Sequence, residues 1–439
     1  MTHYILNTQA QQAEMLKTIG VQTIDQLYAD LPSSLILKED LKIPSGQSEF
    51  AVLKELKRLA SLNTVYTLIL RGAGAEHHLI PSVVKHMSQR EEFVTAYTPY
   101  QSEFSQGILQ SIFEYQTAIC ELTGMDVSNA SVYDGASAAA EAVAMVTEKN
   151  KRTILIPDSL HPQTKKTIQT YTQFTNVKWL DVKCLNGVID LIDLKSKLNE
   201  TVAGVFVQQP NYFGQLEKVD ELSSLVHQVG AKLIAVVNPL SLGLLKSPRT
   251  WGADIAVGEA QPLGIPLAYG GPYLGFMAAS ADLVRRLPGR IVGQTLDTQG
   301  RRAFALTLQA REQHIRREKA SSSLCSNQAL MALTASMYLA AVGPSGLKEV
   351  AHACVSKAHY FSCELEKIGF KLKHTSDFFY EFVSTHPTLS PKSIETLLSN
   401  HGILSGYPLN DQDILWCVTE TASKDALDQV IEILKGGQA

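Results

Sequence analysis

The 439 residues, 45% hydrophobic and 19% charged, suffice for a large core with a satellite domain. Lys plus Arg number 39 and Asp plus Glu 43, a net charge of −4, and the absence of a long basic run argues against a dedicated nucleic-acid surface. No run of about 18 consecutive apolar residues occurs, so no membrane span is expected.

The opening Met-Thr-His-Tyr-Ile-Leu-Asn lacks the basic and apolar regions of a secretory leader. Cys120, Cys184, Cys325, Cys354, Cys363 and Cys417 are scattered without a C-x-x-C pair, which suits buried thiols in a reduced, cytoplasmic compartment. Residues 1–60 read as a helical arm. Met15 to Ile19 stops at Gly20, Ile24 to Leu31 precedes Pro32, and Phe50, Leu53, Leu56 and Ala60 recur at helical spacing after an N-cap among Ser45 to Ser48. The arm carries too little apolar surface to stand alone and is expected to pack on a body.

Residues 61–325 read as a large α/β domain. Thr153–Ile156 ends in Pro157, Ala203–Val207 in Gln208-Gln209-Pro210, Lys232–Val237 in Asn238-Pro239, and Asp254–Val257 in Gly258. Amphipathic stretches such as Val219 to Val229, stopped by Gly230, lie between them. The pattern predicts a mostly parallel sheet covered on both faces, with ligands at the carboxyl ends of its strands. Residues 326–439 read as a small α+β domain. Its expected order is a helix over 327–341 closed by Gly343-Pro344, a helix over 347–368, a strand at 378–383, a helix at 393–398, a strand at 415–418 and a helix at 424–434.

Three stretches could carry chemistry. In Tyr133-Asp134-Gly135-Ala136-Ser137, followed by an Ala-rich helix, the small residues would let a phosphate approach free N–H groups at the helix start. Close helix packing explains the alanines equally well. In Tyr97-Thr98-Pro99-Tyr100-Gln101, two phenols flank a turn that either presents them to a ligand or is an ordinary surface turn. In Arg311-Glu312-Gln313-His314-Ile315-Arg316-Arg317-Glu318-Lys319, with Pro288-Gly289-Arg290 and Gly300-Arg301-Arg302 before it, the charges form a solvated face or receive an anionic partner. His161-Pro162 follows a strand end and could sit over a ligand. His77 and His78 are adjacent and cannot share a helix face as a metal pair, so no metal site is expected. No P-loop and no Gly-x-Gly-x-x-Gly follows a strand.

Ala96 to Gln101, Leu122-Thr123-Gly124, Asn129-Ala130-Ser131, Leu287 to Gly293 and Arg311 to Ala320 together resemble the glycine cleavage system P-protein (glycine decarboxylase). The motifs run from about Arg71 to Ala332, and the length is similar to that of the N-terminal half, which some organisms encode as a separate subunit 1. The resemblance implies a fold-type I pyridoxal phosphate enzyme architecture. It also implies glycine decarboxylation, with transfer of the aminomethyl group to the lipoyl arm of H-protein.

Such a fold needs a lysine in the loop after a late strand, but that loop is Gly258-Glu259-Ala260-Gln261-Pro262-Leu263-Gly264, and no lysine lies between Lys246 and Lys319. The strand that should hold an acid for the pyridine nitrogen reads Ile234-Ala235-Val236-Val237-Asn238, with Ala235 near the expected acid. The resemblance therefore implies a hetero-oligomer. A lysine-bearing subunit 2 holds the pyridoxal phosphate, two copies of each subunit assemble, and this chain is inactive alone. Tyr97, Tyr100 and Gln101, with Arg290, Arg311, His314 and Arg316, are expected to contribute to the partner's site or to H-protein docking. Gly135, Ala136, Ser137 and His161 would line a vestigial pocket. A self-sufficient pyridoxal phosphate decarboxylase or aminotransferase, and a structural or regulatory paralogue, are the alternatives.

Overall fold

Capping residues set the helices of the N-terminal segment. In the computed structural model, which describes residues 6–39 and 41–437, Met1–Thr64 form one unit and Val65–Ala439 another. Residues 1–5 of the stretch read for a leader, Asp40 of the arm and the last two residues of the C-terminal segment lie outside the described residues. In the first unit, α1 (Gln9–Ile19) starts at Thr8, whose hydroxyl accepts from Gln11 N while the Gln11 side chain accepts from Thr8 N. It stops at Gly20, in the left-handed region at φ 91°. The stretch from Ile24 forms only a short 3-10 turn, Ile24–Tyr28, because too few residues precede Pro32 to propagate an α-helix. α2 (Glu49–Ala60) starts at Ser48, whose hydroxyl accepts from Ala51 N.

The second unit is built on a seven-stranded sheet. Its strands are β1 (Val127–Ser128), β2 (Thr153–Pro157), β3 (Lys178–Val182), β4 (Val202–Gln209), β5 (Lys232–Val237), β6 (Ile255–Glu259) and β7 (Gly275–Ala279), in the order β1-β7-β6-β5-β4-β2-β3. β3, β2, β4, β5 and β6 pair in parallel, and β7 runs antiparallel to both its neighbours. Alternation along each strand feeds two cores. Leu155, Val205, Leu233 and Ala256 enter one, while Ile154, Phe206, Ile234 and Val257 enter the other. The sequence pattern does not announce β3, an edge strand with Lys178, Leu180 and Asp181 exposed, because one-sided exposure removes its apolar run.

Helices α3 (Gln106–Thr123), α4 (Gly135–Val146), α5 (Pro162–Thr172) and α6 (Val219–Gln228) belong to the same unit. Leu109, Ile112, Gln116 and Ile119 give α3 its buried face, and Gly124 ends it at φ 71°. A hairpin of β8 (Val292–Leu296) and β9 (Arg302–Leu306) is tied to α3 by two glutamines. Gln116 Nε2 donates to Val292 O at 3.0 Å and its Oε1 accepts from Val292 N at 2.9 Å. Gln106 repeats the arrangement with Phe304 O and N, both at 2.9 Å.

α7 (Ala329–Lys367) is broken at Gly343, φ 63° and ψ −179°, just before Pro344, where the sequence places a boundary between two helices. It is long and apolar enough to match a membrane span by length and composition, yet Ala332, Tyr338, Cys354 and Phe361 on it are buried in the first core. That core continues to Trp416. The C-terminal part holds β10 (Lys371–Leu372), β11 (Glu381–Thr385), β12 (Tyr407–Pro408) and β13 (Asp413–Cys417), in the order β10-β11-β13-β12, with α8 (Pro391–Ser399) and α9 (Lys424–Gly436). The strand expected at 378–383 begins instead at Glu381. Phe378 bridges to Gln215 and Phe379 N donates to Gly214 O, so these residues pair with a loop of the large sheet region and not with the small sheet.

Candidate functional site

The carboxyl ends of β4, β5 and β6 open into a cavity of about 550 Å³. Val236, Val237 and Asn238 come from the end of β5, Glu259 from the end of β6, and Gly135 and Ala136 from the start of α4. His161, the segment 72–76 and Phe379 to Glu381 close the remaining sides. Ala235 lies in the core beneath, so no acid on β5 reaches the cavity. Among the described residues none that lines it is a lysine or an arginine, whereas Glu76, Asp134, Glu259 and Glu381 all do.

Two of these carboxylates close the helix start. Asp134 is the N-cap of α4; its Oδ1 accepts from Ser137 N at 2.7 Å and from Ser137 Oγ at 2.8 Å. Glu259 Oε2 accepts from Gly135 N at 3.0 Å, while its Oε1 accepts from Leu274 N at 2.8 Å and Gln261 N at 3.2 Å. Burial pushes the Glu259 carboxyl up to about 7 against the pull of those N–H groups. A Cβ on Gly135 would lie 2.7 Å from Glu259 N, so glycine is required there for α4 to meet β6. Gly135 and Ala136 do line the cavity, but Gly135 N is already bonded to Glu259. Ser137 is turned toward Asp134 and is not among the residues facing the cavity.

The other pair sits across the cavity. Glu381 Oε1 accepts from Ala73 N at 2.8 Å, and burial pushes its carboxyl up to about 7. Glu76 is raised well above the usual range by burial, then by the charges of Glu381 and Glu259. The Tyr380 hydroxyl hydrogen-bonds Glu76 and accepts from Asn238 Nδ2 at 2.5 Å. Gln261, in the lysine-free loop after β6, exchanges bonds with the backbone of Glu76, N to Oε1 and Nε2 to O, both 2.9 Å. His161 is fixed as well. Its Nε2 donates to Ala73 O at 2.8 Å, its Nδ1 accepts from Gln163 N at 3.2 Å, and burial lowers its pKa.

The aromatic and basic motifs gather at a different place. Arg290 stands 5.4 Å over the Tyr100 ring and pairs with buried Glu312 at 2.6 Å. Arg311 donates to Leu287 O and, at 2.7 Å, to Gly289 O. His314 lies 3.8 Å from Glu312. Tyr97 is 100% exposed, and Gln101 and Arg316 are exposed too. His77 and His78 part company. His78 Nδ1 sits 2.7 Å from Glu420 Oε2, to which the Cys354 thiol also donates at 3.3 Å, while His77 O accepts from Thr419. Sequence reasoning missed Glu76, Glu381 and Tyr380, which lie in no motif. Glu259 was legible as an acid at a strand's carboxyl end.

The residues present do not fit the pyridoxal phosphate that the resemblance implies. Its phosphate needs several free N–H groups and its aldehyde an amine, but of the first three N–H groups of α4 those of Gly135 and Ser137 are taken by carboxylates, which leaves Ala136 N, and among the described residues no lysine faces the cavity.

Comparison with known proteins places this geometry in context. The family profile "Glycine cleavage system P-protein" matches residues 2–434. The chain is similar to "Probable glycine dehydrogenase (decarboxylating) subunit 1" of Desulfitobacterium hafniense, 48% identical over 98% of this chain and 98% of that relative. A relative of the same description from Carboxydothermus hydrogenoformans is 47% identical over 99% of each chain. A crystal structure of glycine decarboxylase (P-protein) of the glycine cleavage system, in inhibitor-bound form, superposes with a TM-score of 0.92 at 40% identity, covering 99% of this chain and 100% of that one. Alanine–glyoxylate aminotransferase from Nostoc sp., with a TM-score of 0.60 at 17% identity over 93% of this chain and 99% of its own, shares the fold alone.

Proposed function

This chain belongs to the glycine cleavage system P-protein family, as a subunit-1 chain of a glycine-decarboxylating dehydrogenase, and from that premise we propose that it is the subunit without a cofactor site of its own. It completes an active site carried by a lysine-bearing partner subunit, which holds the pyridoxal phosphate. The observation that carries this reading is the cavity at the strand ends, where no described residue is a lysine and Asp134 and Glu259 take two N–H groups of the helix start. Decarboxylation of glycine and aminomethyl transfer to the lipoyl arm of H-protein then take place on the partner, in a cytoplasmic assembly of two copies of each chain. The division into an arm (1–60), a large domain (61–325) and a small domain (326–439) is part of this proposal.

This chain's part is to position and enclose. Arg290, held between the Tyr100 ring and Glu312, joins the Tyr97–Gln101 turn to the Pro288–Arg290 turn. Arg311 fixes the second turn by its carbonyls. On that rigid base the exposed Tyr97 and Gln101 reach toward the partner's substrate, while Arg316 offers positive charge and His314 a ring nitrogen to an acidic lipoyl protein. The test is exchange of labelled carbon dioxide into glycine with each chain alone and with both mixed, followed by borohydride reduction to locate the trapped cofactor. Activity is expected only in the mixture, with label on the partner. Exchange by this chain alone, or label on one of its lysines, would overturn the reading.

A further inference from the structure

The start of α4 has the features of an anion site: a helix of twelve residues, small side chains at its first turn, and a position at the carboxyl ends of parallel strands. Such N–H groups attract phosphate unless something else satisfies them. Here Glu259 binds three main-chain N–H groups from three segments, at Gly135, Gln261 and Leu274, and so behaves as an internal substitute for a bound anion. Asp134 takes the N–H at Ser137. The packing leaves no slack, since a Cβ on Gly275 would fall 2.2 Å from Asp134 O and one on Gly258 would fall 2.1 Å from Val237 O. The opposite wall adds Glu76 and Glu381 and no cation among the described residues.

We infer that Glu259 is the residue that sets cofactor specificity between the two subunits, by filling this chain's phosphate cradle with its own carboxylate. The inference rests on the reading that the partner carries the cofactor, and adds a named cause: phosphate esters are rejected by occupancy of one helix start, independently of the missing lysine. Restoring a lysine alone therefore does not restore cofactor binding; the Glu259 carboxylate has to go first.

The experiment uses the full chain and inorganic phosphate, followed by phosphorus NMR and by the shift in melting temperature. The wild type is expected to bind neither phosphate nor pyridoxal phosphate. Glu259→Ser, which frees Gly135 N, is expected to bind phosphate at least about tenfold more tightly than the wild type, because that N–H can then donate to the anion. Glu259→Gln keeps the volume without the charge, and is expected to show a smaller gain; it decides the matter if the serine variant does not fold. Pyridoxal, which lacks the phosphate, should gain nothing in either variant. A folded Glu259 variant with no gain overturns the inference. So does an equal gain in Glu381→Gln, which would mean that net charge anywhere in the cavity is what matters. Binding of pyridoxal phosphate by the wild type would sink the cofactor-free reading along with it, whereas failure of the variants alone sinks only this inference.

Discussion

Burial decides the ionisation of the cavity's carboxyls. Glu381 and Glu259 are each pushed up to about 7 from an ordinary 4.5, with burial the larger cause in both. Glu76 faces both and is raised too. For a carboxyl raised on folding, the folded state holds its proton after the unfolded chain has released it. The stabilisation is full below about 4.5 and is lost as the pH rises through about 7. Glu381→Gln removes that loss, because a neutral amide stays neutral. Urea unfolding should show the variant gaining on the wild type by on the order of 1 kcal/mol per pH unit between about pH 5 and about pH 7. A difference that stays flat across this range would mean that Glu381 is already ionised at the acid end. Nothing local in Tyr380-Glu381-Phe382 signals this behaviour, since it comes from burial by segments distant in sequence.

At the scale of elements, one helix sets the shape of a hairpin. Gln106 and Gln116 lie on α3 and each mimics a peptide group, donating to and accepting from a single residue of the hairpin, one on each strand. The hairpin's own ladder joins Val292 to Leu306 and Gln294 to Phe304. Replacing Gln116 by Leu leaves Val292 N and O buried without partners, which costs about 1–3 kcal/mol. Hydrogen exchange should show Val292 losing protection well before the core strands β4 and β5. Equal protection in variant and wild type would mean that the hairpin stands on its own ladder. Nothing in chain order singles out these glutamines, because polar residues on a helix face usually point to water, and their targets are 176 and 198 residues away. By contrast Gly20, Gly124 and Gly343 mark real boundaries, since a residue that must take positive φ is legible wherever it stands.

For the whole molecule the cavity and the Tyr100–Arg290 cluster divide the work. The cavity is turned inward and self-satisfied, whereas the turn bearing Tyr97 is exposed above a base of Arg290, Glu312 and Arg311. Tyr97→Phe in the reconstituted pair removes only a hydroxyl from a fully exposed side chain, so stability is expected to change by less than about 0.5 kcal/mol. Exchange activity, in contrast, should fall by about tenfold or more if that hydroxyl orients substrate on the partner. Unchanged activity with a folded pair would withdraw the assignment from Tyr97 and leave Tyr100 to carry it.

The α/β class, the parallel strands of the sheet and the loops at their carboxyl ends follow from the sequence, because continuous apolar runs that end in Pro, Asn, Gln or Gly are local features. The missing lysine is equally plain there, since absence between Lys246 and Lys319 needs no geometry to be seen. Only the tertiary structure decided what lines the cavity at the strand ends. Glu76, Asp134, Glu259 and Glu381 meet only when strand ends and a distant C-terminal segment converge on one cavity. The charge state of a group depends on what surrounds it in space, which chain order does not encode.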